Sequence, residues 1–251
     1  MSHSQPDLQS ICVDKHSNLR VNLSNDHSHF SSHNSCAIVA EEITQSAANF
    51  PVAFVKDPES GRFQLSALFG LLPQENLFVG PDNKWLGTYL PTGLSIMPFG
   101  VVIGEGAESD WIKIDANSTC LSCDIGQPLF EQGQPSHFYQ DMRQQISTLI
   151  DASSQTEIFI ENLVNRNLLT EMTIVLTDGE GKQQVINDLY TINVDEFAYL
   201  TQEDVMLFHQ LHYWRAIYAI EQSVHQFKRL SQLKNRQAPM SLSIHIEREE
   251  D

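Results

Sequence analysis

The sequence predicts an α+β fold: a single domain with a mainly antiparallel sheet covered by two long helices. Three observations carry this. Apolar runs at 51–57 and 62–71 are separated by Pro58-Glu59-Ser60-Gly61, and residues 172–194 carry Asp178-Gly179 at their centre; short turns of this kind make hairpins, not parallel crossovers. Met142, Ile146, Leu149, Ser153, Thr156, Ile160 and Leu163 fall at alternating four- and three-residue steps, the stripe of a long helix. Tyr213, Ile217, Ile220, Val224 and Phe227 form a second stripe that reads as core or subunit interface.

The elements follow in order. Residues 1–35 are polar and rich in His, Ser and Asn, and read as a flexible arm with little core of its own. Acids 41 and 42, then Ile43, Ala47 and Phe50, predict a helix over 40–50 that Pro51 ends. Strands are expected at 51–57, 62–71 and 76–80, the last closed by Gly80-Pro81-Asp82-Asn83. A short helix around 89–96, with Pro91 near its first turn, leads to strands at 98–104 and 111–116. Two Gly and two Pro make 124–136 a loop. The polar stretch 151–156 weakens the centre of the long helix and allows a break there. Thr201, with acids at 203 and 204, starts one or two closing helices that run to 233. The main domain is thus expected over 36–236, with an edge strand and acidic tail in 237–251.

Composition narrows the function. Fifteen Lys and Arg face 32 Asp and Glu, a formal net charge of -17, which repels phosphate backbones and argues against general nucleic-acid binding. No run approaches the ~18 apolar residues of a membrane span. The first twenty residues lack the apolar core of a secretory signal, so a cytoplasmic location is expected, with the cell surface by a signal-independent route as the alternative.

Four cysteines, at 12, 36, 120 and 123, make no disulfide scaffold. Cys120 and Cys123 have redox-pair spacing, but Gly126 and Pro128 prevent the helix such a pair should open. A zinc site would need two further ligands. His27, His29, His33 and Cys36 lie close in sequence without the spacing of a structural metal site. His209 and His212 share a helical face with Glu203 and Asp204, yet a di-metal bundle draws ligands from several helices. There is no G-x-S-x-G elbow, and Gly100, Gly104 and Gly106 miss the spacing of a dinucleotide loop. The acids Glu41 and Glu42 are explained by the helix dipole alone. No catalytic residue, metal or cofactor is therefore expected.

The text at 39–57 (VAEEITQSAANFPVAFVKD), followed by LSALFGL, ENLFVG, KW and YLPTGLSIMPFG, resembles the bacterial SapC family. The likeness continues at QPLFEQGQPS, LYTINVDEFAYL and the helix containing Trp214, and takes in His16 and Phe30. It spans residues 14–233 and departs in the N-terminal His/Ser insertion, the cysteine pair and the tail beyond 235. The resemblance implies a protein without an established reaction, named for an association with surface-layer formation and serum resistance. Its relatives tend to be encoded beside flavin-dependent halogenase-like proteins, cupin-like proteins and outer-membrane TonB-type receptors. That implies an accessory protein with a protein partner, and self-association through the C-terminal helix is a further expectation. The alternatives are a structural surface-layer component and a metal-dependent enzyme using the His and Cys residues. Within the family-like text, Glu75, Asn76, Trp85 and Tyr89 form the polar and aromatic cluster where binding is expected, because Trp and Tyr are enriched at interfaces.

Overall fold

A computed structural model describes residues 7–22, 26–102, 111–236 and 239–247. In chain order its first half runs β1 (Leu8–Ser10), α1 (Val13–His16), β2 (Arg20–Val21), β3 (Ser35–Ala37), α2 (Ile43–Ala47), β4 (Val52–Lys56) and β5 (Phe63–Leu68). Next come α3 (Thr92–Ser95), β6 (Phe99–Val101), β7 (Ile112–Asp115), β8 (Leu121–Ser122), β9 (Gln127–Pro128), β10 (Phe130–Glu131) and β11 (Gln134–Pro135). The chain closes with α4 (His137–Val164), β12 (Leu169–Asp178), β13 (Gln183–Ile192), α5 (Gln202–Gln210), α6 (Tyr213–Ser223), α7 (Phe227–Asn235) and β14 (Met240–Ile246).

The fold is α+β, as the hairpins and stripes predict. Its main sheet has the order β14-β12-β13-β4-β5-β3, each pair antiparallel. On β12, Met172, Ile174 and Leu176 alternate into the core, the period of two expected of a sheet with one buried face. The turn after β12 is built by Asp178, whose Oδ1 accepts the amides of Glu180 and Lys182 at 2.9 Å each. Its left-handed residue is Gly181, at φ 84°, rather than Gly179.

Two apolar clusters share one helix. The larger lies against the main sheet and includes Phe50, Phe54, Phe69, Phe78, Ile217 and Leu230. The smaller gathers Val21, Phe99, Ile114, Leu129 and Phe130. Helix α4, 28 residues and unbroken through 151–156, gives Tyr139 and Ile146 to the smaller cluster and Phe159, Ile160 and Leu163 to the larger. At a rise of about 1.5 Å per residue it spans roughly 42 Å. Ser136 caps it by accepting the Tyr139 amide at 3.1 Å.

Several local expectations need correction. Residues 76–80 form no strand: the turn closed by Gly80 N–H to Lys84 C=O, 2.8 Å, leaves only the single bridge Val79–Trp85. The loop 124–136 contains three short strands: β10 and β11 pair with each other, and β9 pairs with β2. The segment 1–35, where described, is not a free arm. β1 pairs with β7, β2 lies between β8 and β9, and Val21 and Phe30 are buried. Its apolar residues are too widely spaced to show a period, so only long-range pairing reveals them. The closing helices are three segments, since His212 at φ 57° separates α5 from α6 and a 3₁₀ turn at Val224–Gln226 precedes α7. Gly104, Gly106 and the tail beyond 247 lie outside the described residues.

Candidate functional site

The polar groups of the family-like text converge on a buried carboxylate. Glu42 ends a 3₁₀ turn, Ala40–Glu42, and is only 5% exposed. Its Oε1 accepts the Tyr89 hydroxyl, the Thr92 amide at 2.7 Å and the Thr92 hydroxyl at 2.8 Å. Its Oε2 accepts the Val39 amide at 3.3 Å. Four donors take the place of the water a carboxylate loses on burial, which is how an anion without a paired cation is held. The helix-dipole explanation of Glu42 is therefore incomplete, because the side chain turns inward to join 39–42 to 89–92.

Trp85 and Tyr89 complete this knot. The indole N–H of Trp85 donates to the Tyr89 carbonyl at 2.7 Å. Its ring meets Phe69, Phe50 and Phe78 at centroid distances of 5.4, 5.8 and 5.8 Å. Asn49, unremarked in the sequence, accepts the Thr88 amide and hydroxyl at 2.8 Å each. Gly87 is required here, since a Cβ would stand 2.7 Å from the Trp85 Nε1. Burial and the bond to Glu42 raise the Tyr89 phenol above its usual range.

Glu75 and Asn76 sit apart from that knot. Asn76 is buried, its Nδ2 donating to Phe30 C=O at 3.0 Å and its Oδ1 accepting the Phe78 amide at 2.9 Å. Glu75 forms an ion pair with Lys234 of α7, both side chains largely buried, and also accepts the Leu71 amide at 3.1 Å. All four residues thus have internal polar partners. Glu42, Asn49 and Lys234 were missed; for Glu42 the one local signal was its place three residues after Val39, where a carboxylate reaches back to a free amide.

Cys36 lies beside the knot, its Sγ donating to Ala37 C=O at 3.2 Å. Burial first, and the Glu42 charge second, push its thiol up to about 12. A raised folded pKa leaves stability intact below the unfolded value, and above it only the unfolded chain sheds the proton. Stability is expected to fall as pH rises from 9.0 toward about 12, by on the order of 1 kcal/mol per pH unit. Urea melts across that range should show the slope, and Cys36→Ala should reduce it, with the raised Cys120 thiol and Tyr89 phenol leaving a remainder.

The other candidates are not brought together. Cys120 is buried with its thiol raised by burial, while Cys123 is exposed; both are free thiols. His209 and His212 are exposed at the α5–α6 junction. Among the described residues no three His, Cys, Asp or Glu side chains group closely enough to hold a metal ion.

A different region presents apolar surface. Val194, Tyr199, Val205, Met206, Leu211 and Tyr218 are all exposed, with Tyr199 at 78%, Met206 at 56% and Tyr218 at 51%. Phe197 meets Trp214 and Tyr218 edge-on at 5.6 and 6.2 Å, and Trp214 stacks on Tyr218 at 5.9 Å. Beneath them Phe208 is fully buried and packs against Trp214 at 5.6 Å, so these rings rest on the core.

No described helix is long and apolar enough to cross a membrane. No curated protein and no solved structure matches the chain. A family model, SapC, matches residues 12–230. That match covers most of the 251 residues and nearly all of both apolar clusters, and the chain belongs to the SapC family.

Proposed function

We propose that this chain is a non-enzymatic accessory protein that acts by binding a protein partner. The observation that carries this reading is the exposed aromatic and aliphatic surface of 194–218. Single exposed apolar residues are ordinary, but a grouping of Tyr, Trp and Met marks an interaction surface. The polar ends of Glu75, Asn76, Trp85 and Tyr89 already have partners within the chain, which favours the 194–218 surface over theirs as the place of contact. The resemblance to SapC proteins supports a role beside surface-layer or outer-membrane uptake systems, or beside flavin-dependent halogenases, with the cytoplasm as the place of action.

Tyr199→Ala with Tyr218→Ala tests it. Both side chains are exposed, so the doubly substituted protein is expected to keep its melting temperature within about 2 °C. It should lose the crosslinked species that the unaltered protein forms in its native host. An unchanged crosslinking pattern would remove this surface from consideration.

A further inference from the structure

Beside β5 the main sheet has an unfinished edge. β5 pairs with β4 along its length, from Val52–Ala67 to Lys56–Phe63, but with β3 only at Ser66–Leu68. The bonds from Asp57 N–H to Arg62 C=O, 2.8 Å, and from Leu68 N–H to Pro51 C=O, 2.9 Å, fix the phase of the ladder. The backbone groups of residues 62, 64, 66 and 68 face β4, and those of Phe63, Leu65 and Ala67 face the other way. Ile38 N–H donates to Leu65 C=O at 3.0 Å. The chain then leaves the edge, and Ala40 N–H goes instead to the Thr156 hydroxyl of α4, 2.8 Å away. The N–H and C=O of Phe63 are left facing outward, with no strand beside them among the described residues.

Phe63 also lines a cavity of about 440 Å³ bordered by β4, β5 and α4, within the size range of ligand sites. Its apolar wall includes Ile38, Leu65 and Ile160, and Lys56 and Arg62 stand at its turn end. Neither cation has an ion-pair partner among the described residues; the Lys56 ammonium lies 5.6 Å from the centre of the Phe63 ring. Two acids also line the space. Asp57 is folded into its own turn, accepting the Ser60 amide at 2.6 Å and hydroxyl at 2.7 Å. Glu157 remains on the helix wall. In a chain of net charge -17, two cations at one cavity mark a place where an anion can approach.

We propose that this cavity binds the C-terminal end of an extended peptide. The ligand's main-chain N–H and C=O would pair with Phe63 and prolong the line of β3. Its terminal carboxylate would meet Arg62 and Lys56, and an apolar last side chain would lie on Ile38, Leu65 and Ile160. Strand addition supplies affinity and the carboxylate supplies direction. This site is separate from the 194–218 surface and does not depend on it.

The test uses fluorescein-labelled pentapeptide pools ending in Leu, Ile, Val or Phe, as free acids and as C-terminal amides, with binding read by fluorescence anisotropy. The free acids should bind at least about tenfold more tightly than the amides, and Arg62→Ala should remove most of that difference. Tyr199→Ala with Tyr218→Ala should leave this binding unchanged, which separates it from the proposed partner surface. Equal binding of acids and amides, no binding of either pool, or an Arg62→Ala protein that binds as before would overturn the proposal. So would hexanoate competing as well as the peptide acids, since the peptide backbone would then contribute nothing. Arg62 is exposed, so circular dichroism of the variant should match the parent.

Discussion

Lys234→Ala is expected to destabilise the protein by about 3–5 kcal/mol, the cost of leaving one charge of a buried pair alone. The side chains of Lys234 and Glu75 are 10% and 14% exposed, so water cannot replace the lost partner. The pair also joins α7 to the loop before Phe78, where Gly70 lets the Glu75 carbonyl approach so closely that a Cβ would overlap it. Thermal denaturation measures the loss. Joint replacement, Lys234→Met with Glu75→Leu, should recover most of it, because the penalty comes from the orphaned charge and not from the missing attraction. If Lys234→Ala melts like the parent, the pair is open to solvent and this account fails.

Trp85→Ala is expected to cost a similar amount, about 3–5 kcal/mol. The indole fills the space among Phe50, Phe69 and Phe78, and aromatic pairs of this geometry add to simple burial. Removing it also leaves the Tyr89 carbonyl without its donor. Trp85→Phe should lose less, since it keeps a ring but not the N–H. Chemical denaturation of the two variants separates packing from hydrogen bonding, and an alanine variant as stable as the parent would show that the ring is dispensable. The expectation that Trp85 belongs to a ligand surface would regain ground from that result.

The parts of this fold that were legible in the sequence are those set by neighbours. The stripe through Met142, Ile146 and Leu163 and the Asp178-Gly179 hairpin each carry their own period or turn chemistry, and both are where expected. Thr201 likewise caps α5, accepting the Asp204 amide at 3.1 Å. What stayed hidden depends on residues far apart along the chain. Glu42 meets Thr92 fifty positions away, and Glu75 meets Lys234 across 159. Apart from its place three residues after Val39, nothing local distinguishes Glu42 from Glu41, yet one is buried under four donors and the other is exposed. The β2 dipeptide is too short to show alternation, and it becomes a strand only because β8 and β9 flank it. The unfinished edge at Phe63 is a property of register, which a single strand's text does not contain.

The uninterrupted span from His137 to Val164 ties the fate of one half of the molecule to the other. A rod anchored at both ends cannot melt halfway without giving up the anchorage of whichever half lets go. Loss of order around Val21 and Phe99 should therefore propagate toward Phe159, and the whole described body should come apart in one cooperative transition, the amides midway along the rod exchanging with solvent only when everything opens.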